Sequence, residues 1–240
     1  MKTGTLYLIP TTLGESPLPL VIPEQVRHIA AQLTVFVAEN PKTARHYLKL
    51  LEPVMPLQDI QIYTLDKHTR QEQLQLFLQP ALSGKDIGLV SEAGCPAVAD
   101  PGALLVRLAH LKGIRVAPLV GPSSILLALM ASGMNGQAFA FHGYLPIQKA
   151  DRCKKIAELE KESSGRNQTQ IFIEAPYRNQ PLLEDIVQTC EAGTELCIAT
   201  DITLSSEHIE TRTISEWRNK LPDINKKPTI FLLYRAPSRQ

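Results

Sequence analysis

Carboxylates at Glu92 and Asp100, glycines at Gly94 and Gly102 and prolines at Pro96 and Pro101 crowd into the short segment Ser91–Gly102. A glycine lets backbone come close to a ligand, and prolines stiffen a loop. The two carboxylates are suited to accept hydrogen bonds from ribose hydroxyls or from an ammonium group. The segment follows the apolar run Ile87–Val90 and precedes a helical pattern from Ala103 to Leu111. It therefore lies where an open parallel sheet gathers its ligands, beyond the carboxyl end of a strand. The competing reading is a connecting loop in which Asp100 caps the helix that starts after Pro101. Residue types alone leave both open.

Other segments have the same strand-to-helix placement. Val120-Gly121-Pro122-Ser123-Ser124 brings hydroxyls and unpaired backbone N–H groups to a helix start, which suits an anion or carboxylate. Ser123 capping its own helix is the plainer account. Phe172-Ile173-Glu174-Ala175-Pro176-Tyr177-Arg178 ends a strand with an acid and a base that could face a cleft or pair in solvent. Basic residues gather at Lys42, Arg45 and Lys49, and again at Lys149, Arg152, Lys154 and Lys155. Each group reads as a solvated helix face or as a contact for RNA phosphate.

Several chemistries are disfavoured. Thr11-Thr12-Leu13-Gly14 after the first strand is no G-x-G-x-x-G, and neither a phosphate-binding P-loop nor G-x-S-x-G occurs. Cys95, Cys153, Cys190 and Cys197 form no C-x-x-C pair, and the scattered histidines lack ligand spacing, so no metal is expected.

The elements that position these residues alternate. Strands are expected at Thr5–Ile9, Thr34–Ala38, Ile60–Tyr63, Ile87–Val90 and Val116–Val120. Helices are expected from Pro23 to Leu33, Thr43 to Leu51, Gln71 to Leu82, Ala103 to Leu111 and Ser123 to Ala131. Such a rhythm means parallel pairing. The break Ser132-Gly133-Met134-Asn135-Gly136 suggests a domain boundary, giving an α/β domain over 1–135 and a second over 136–240. The second carries a charged helix from Lys149 to Lys161, a polar loop over 163–168 and more consecutive strands, which predicts a mixed α+β sheet. With 240 residues, 44% hydrophobic and a net charge of +1, the chain can bury a real core and does not hold nucleic acid by bulk charge. Its opening apolar run stops at Pro10, too short for a signal-peptide core, and no stretch reaches membrane-span length. A soluble, reduced, cytoplasmic protein is the expectation.

Taken together, Ser91-Glu92-Ala93-Gly94-Cys95-Pro96 with Asp100-Pro101-Gly102, Gly121-Pro122-Ser123-Ser124 with Ala131-Ser132-Gly133, and Glu174-Ala175-Pro176-Tyr177-Arg178 resemble the tetrapyrrole (corrin/porphyrin) methylase family. Gly4-Thr5-Leu6-Tyr7-Leu8, Ala38-Glu39 and Gly143-Tyr144-Leu145-Pro146 bring the resemblance nearest to its small-subunit ribosomal RNA ribose 2′-O-methyltransferase I branch. That branch usually has Thr at Cys95, Glu-Asp-Thr-Arg at Glu39-Asn40-Pro41-Lys42 and Glu-Ser-Pro-His-Arg at Glu174–Arg178. The resemblance implies two α/β domains, S-adenosylmethionine as cofactor in a cleft between them, ribosomal RNA as substrate, and a homodimer. It implies cofactor contacts at Ser91, Glu92, Ala93, Gly94, Cys95, Val98, Asp100, Ser123, Ser124, Ala175 and Thr229. For the transfer, Glu39 and Glu174 are the candidate bases, and Lys42, Arg45 or Arg178 would hold phosphate or stabilise alkoxide charge. A tetrapyrrole or other small-molecule acceptor, or a relative that binds without turnover, are the alternatives.

Overall fold

The computed structural model describes residues 3–237. The chain forms two compact units, Met1–Ser123 and Ser124–Gln240. The break falls before the helix Ser124–Ser132, ahead of the glycine-rich stretch that sequence marks as a boundary.

In the first unit the elements run β1 (Thr5–Ile9), α1 (Leu18–Val21), α2 (Glu24–Gln32), β2 (Val35–Ala38), α3 (Pro41–Leu50), β3 (Gln61–Thr64), α4 (Gln71–Leu82), β4 (Ile87–Val90), α5 (Gly102–Leu111) and β5 (Arg115–Pro118). The five strands pair in the order β3-β2-β4-β1-β5, all parallel. Alternate residues serve opposite faces, as the strand period requires. Leu6, Val35, Val37, Ile87 and Leu89 pack under α4 and α5, while Ile9, Phe36 and Val90 pack under α1, α2 and α3. Both faces are therefore covered, which is why β2 and β4 read as unbroken apolar runs.

The second unit runs α6 (Ser124–Ser132), β6 (Phe139–Tyr144), α7 (Lys149–Arg166), β7 (Thr169–Ile173), α8 (Asn179–Thr189), β8 (Glu195–Thr200), β9 (His208–Thr213), α9 (Ile214–Trp217) and β10 (Thr229–Tyr234), with a 3₁₀ turn at Pro176–Arg178. Its sheet order is β6-β7-β10-β8-β9, with β6 and β7 parallel and the remaining pairs antiparallel. The mixed sheet expected from the strand-rich second half is thus present. One core joins it to α7, α8 and α9 through Ile156, Leu182, Ile186, Phe172, Phe231 and Trp217. The Trp217 indole N–H donates to the Leu196 carbonyl at 2.9 Å. On the other face α6 lies against β9 and β10.

Some boundaries differ from expectation. Residues 163–166, expected in a polar loop, continue α7, because Ser163 is fully buried and its hydroxyl accepts the Arg235 N–H at 2.8 Å. The helix ends only at Asn167, which adopts the left-handed conformation (φ 51°) common at helix ends. The short α1 and α9 were not anticipated. A capping box between Thr213 and Glu216 starts α9, so Ile214 belongs to it and not to β9. Among the described residues no helix is long and apolar enough to cross a membrane.

One buried ion pair clamps α7 to α8. Arg152 donates to the Asp185 carboxylate from Nε at 2.8 Å and from Nη2 at 2.6 Å, with side chains 9% and 4% exposed. Removing one partner strands the other charge. Arg152→Leu is expected to destabilise the protein by about 3–5 kcal/mol in urea unfolding, with Arg152→Leu/Asp185→Leu recovering most of the loss.

Candidate active site

Neighbouring parallel strands deliver their following loops to one edge. β4, β1 and β5 are adjacent, so the loops after Val90, Ile9 and Pro118 meet beyond their carboxyl ends. The Thr11 N–H donates to the Gly94 carbonyl at 2.9 Å. The Cys95 thiol, kept protonated by burial, donates to the Pro122 carbonyl at 3.5 Å. The Tyr47 hydroxyl, from α3, donates to the Pro10 carbonyl at 2.7 Å. Side chains have no room at the crossings. A Cβ on Gly121 would lie 2.2 Å from Cγ of Pro10. Gly94 has φ of 71°, and a Cβ there would lie 3.1 Å from Leu13 and 3.3 Å from the Pro122 carbonyl oxygen. Both glycines thus let loops approach each other.

Asp100 organises the loop after β4. Its carboxylate accepts the Ala97 N–H at 3.0 Å and the Gly102 N–H at 2.7 Å. The cap that sequence offered is therefore real, and it spans a wider turn. Ala97 and Ala99 are held at φ of 67° and 60°, a conformation that costs a residue with a Cβ roughly 1–2 kcal/mol. Val98 between them is pushed outward and is half exposed. Burial raises the Asp100 pKa, and the hydrogen bonds from Gly102 and Ala97 oppose the rise.

Glu39 stands at the end of β2 on the same edge, exposed to solvent. Its neighbour Asn40 caps α3 by accepting the Lys42 N–H at 3.0 Å, and Pro41 occupies the first helical turn. Asn40-Pro41 therefore preserves a clean helix start despite departing from the branch pattern. The Thr43 hydroxyl donates to Glu92 Oε1 at 2.6 Å and fixes that carboxylate. Thr43 escaped sequence reasoning because the link joins α3 to the loop after β4. The Glu39 pKa is raised, first by partial desolvation, then by Glu92, Asp100 and Asp66. The edge thus carries a negative field that favours a bound cation. Glu39, Ser91, Asp100 and Gly102 share a narrow crevice there. The wider groove of this unit, about 550 Å³, runs from Glu24 and Arg27 to Leu51 and Glu52 and lies away from this edge.

In the second unit Glu174 and Arg178 do pair, but not in solvent. Glu174 Oε1 accepts the Ala175 N–H at 2.7 Å and Arg178 Nη2 at 2.5 Å, and the Glu174 side chain is fully buried. Its Oε2 is buried with no hydrogen-bond partner among the described residues. A buried acceptor without a donor is costly. The hydrogen bond with Glu174 raises the Arg178 pKa further, and its guanidinium lies 5.2 Å from the Tyr177 ring centre. Ala175 and Arg178 line an open pocket of about 600 Å³ with Tyr144, Leu145, Pro146 and Ile147. Thr229 is elsewhere engaged, its hydroxyl bonded to the Lys227 carbonyl at 3.1 Å and to Thr200 at 3.3 Å. Ser123 closes the first unit and Ser124 opens α6. Within the first unit, then, Glu39 shares one edge with Ser91, Glu92, Ala93, Gly94, Cys95, Val98 and Asp100. Within the second, Glu174, Ala175 and Arg178 share one turn.

Ribosomal RNA small subunit methyltransferase I of Vibrio cholerae is 32% identical over 240 residues, 98% of this chain and 79% of the relative. The Pasteurella multocida protein of the same name is 31% identical over 238 residues, 96% of this chain and 79% of the relative. The chain belongs to the ribosomal RNA small subunit methyltransferase I family. No protein-family model matches the chain. Among solved structures, the methyltransferase CobJ aligns over 99% of this chain and 97% of its own at a TM-score of 0.64 and 18% identity. Uroporphyrin-III C-methyl transferase from Thermus thermophilus, complexed with S-adenyl homocysteine, aligns over 97% and 98% at 0.55 and 15%. These neighbours share the fold of this family member. The family's cofactor is S-adenosylmethionine, a sulfonium cation, and the carboxylate-rich edge fits such a charge.

Asp100→Ala leaves the Ala97 and Gly102 N–H groups without their acceptor. A loss of about 1–3 kcal/mol in chemical unfolding is expected. Glu39 responds to pH in the opposite sense to a salt-bridged acid. A carboxyl whose pKa is raised by folding costs stability when it ionises, so the cost is absent in acid and complete above its folded-state pKa. Glu39→Gln is expected to raise the melting temperature slightly at pH 7, and the gain should vanish towards pH 4.

Proposed function

We propose that this family member transfers the methyl group of S-adenosylmethionine to a ribose 2′-hydroxyl of small-subunit ribosomal RNA. The chain is a methyltransferase that uses this cofactor, and its relationship to enzymes named for ribosomal RNA, over nearly all of this chain and 79% of each relative, supports the acceptor. The observation that carries the reading is Glu39, a carboxylate with a raised pKa at the strand edge where the Asp100 loop is shaped. Bound there, the cofactor supplies an electrophilic methyl carbon on positively charged sulfur.

Ser91, Glu92, Ala93, Gly94, Cys95, Val98 and Asp100 form the cofactor loop in this proposal, with Ser123, Ser124, Ala175 and Thr229 as further contacts. Glu39 would take the proton of the ribose hydroxyl, whose oxygen would accept the methyl group that the bound cofactor supplies. A carboxylate whose pKa is raised by its surroundings is better matched to this step than an unperturbed one. Glu174 is the second candidate, through its unpartnered Oε2. Arg178 holds phosphate or the developing oxyanion. Alignment of oxygen and methyl carbon supplies much of the rate. The protein works in the cytoplasm as a homodimer in this reading, and the outward Leu126 and Met130 of α6, 51% and 78% exposed, support pairing of copies.

The test is label transfer from methyl-tritiated S-adenosylmethionine to small ribosomal subunits from cells lacking the enzyme, with a tetrapyrrole mixture as comparator. Label on RNA ribose is expected, with Glu39→Gln reducing the rate about 10²–10⁴-fold. Label in the tetrapyrroles alone, or tight cofactor binding with no transfer, would overturn the acceptor.

A further inference from the structure

The chain has two basic clusters, and the structure separates them. On α7, Lys149 lies 3.2 Å and Arg152 2.6 Å from Asp185, and Lys155 lies 3.7 Å from Glu158. That cluster is largely spent within the protein. On α3, Lys42, Arg45, His46 and Lys49 are all exposed, and none is in an ion pair among the described residues. The helix contains no Asp or Glu. Its buried face is Ala44, Tyr47 and Leu48, which turns the basic positions, at helical spacing, to the opposite side. The stripe starts one turn beyond Glu39 and extends about 10 Å along the helix. A polyanion approaching the carboxylates at Glu39 and Glu92 would be repelled without nearby positive charge, and α3 supplies it on the adjoining helix.

We propose that the outer face of α3 is a phosphate track that leads the RNA strand to Glu39, with Lys42, Arg45 and Lys49 each meeting a backbone phosphate. This rests on the RNA reading above and assigns where that RNA lies on the first unit. Charge complementarity selects a nucleic acid backbone, and a stripe without stacked aromatic residues holds it without reading sequence.

The experiment compares the wild type with Lys42→Gln/Arg45→Gln/Lys49→Gln and with Lys154→Gln/Lys155→Gln on α7. Binding to a labelled single-stranded RNA and to small ribosomal subunits is measured across a salt series, and cofactor affinity by calorimetry. Each phosphate contact on single-stranded RNA contributes about 0.7 to the slope of log affinity against log salt. The α3 variant is expected to lower that slope by about 2, raise KM for subunits and keep cofactor affinity and melting temperature. The α7 variant should keep the wild-type slope. An unchanged slope in the α3 variant, or equal losses in both variants, overturns the track. Binding to anionic vesicles that depends on α3 while RNA binding does not also overturns it. Wild-type protein that binds neither RNA overturns the RNA reading itself, a result distinct from failure of the track alone.

Discussion

Parallel pairing of β4 with β1 and of β1 with β5 is the constraint on which the candidate site depends. It sends successive loops to a single edge, where they must pack without colliding. Gly121 against Pro10 and Gly94 against Leu13 show how little room is left. The loop after β4 then folds around Asp100, which accepts the Ala97 N–H, and both Ala97 and Ala99 take a positive φ that they would not choose alone. Local strain of this kind persists only when its surroundings over-determine it, and such strain clusters at functional sites.

Electrostatics divide the first unit into complementary parts. At the strand edge the Glu39 pKa is raised first by partial desolvation and then by the charges of Glu92, Asp100 and Asp66. That suits a sulfonium ligand and a carboxylate that takes up a proton. The adjoining helix α3 carries the opposite charge on its outer face, in no ion pair among the described residues. In the second unit the buried Arg152–Asp185 pair serves structure by clamping α7 to α8. One oxygen of Glu174 serves Arg178 and Ala175, while the other has no partner among the described residues.

Much of this was legible in the residues. The apolar runs of β1, β2 and β4 and the periodicity of α4 mark elements whose burial on both faces or on one stripe leaves a direct pattern. The end of α7 was not legible, because polar residues at 163–166 remain helical only through burial of Ser163 against the backbone of Arg235. Glu92 and Asp100 stood out by residue type and position after a strand, and Ser91 and Glu39 through the family resemblance. Thr43 and Tyr47 did not, since their partners Glu92 and Pro10 lie 49 and 37 residues away.

By itself, the sequence determined the alternation of strand and helix, the parallel first sheet, the mixed second one and the segments able to carry chemistry. Those properties follow from local periodicity and backbone preference. Only the tertiary structure decided that the glycines serve loop-to-loop packing, that Glu174 is buried beside Arg178, and that among the described residues the α3 cations are in no ion pair while Lys149, Arg152 and Lys155 of α7 are. Each of these depends on what lies opposite a residue in space, and burial and charge pairing are set by distant parts of the chain.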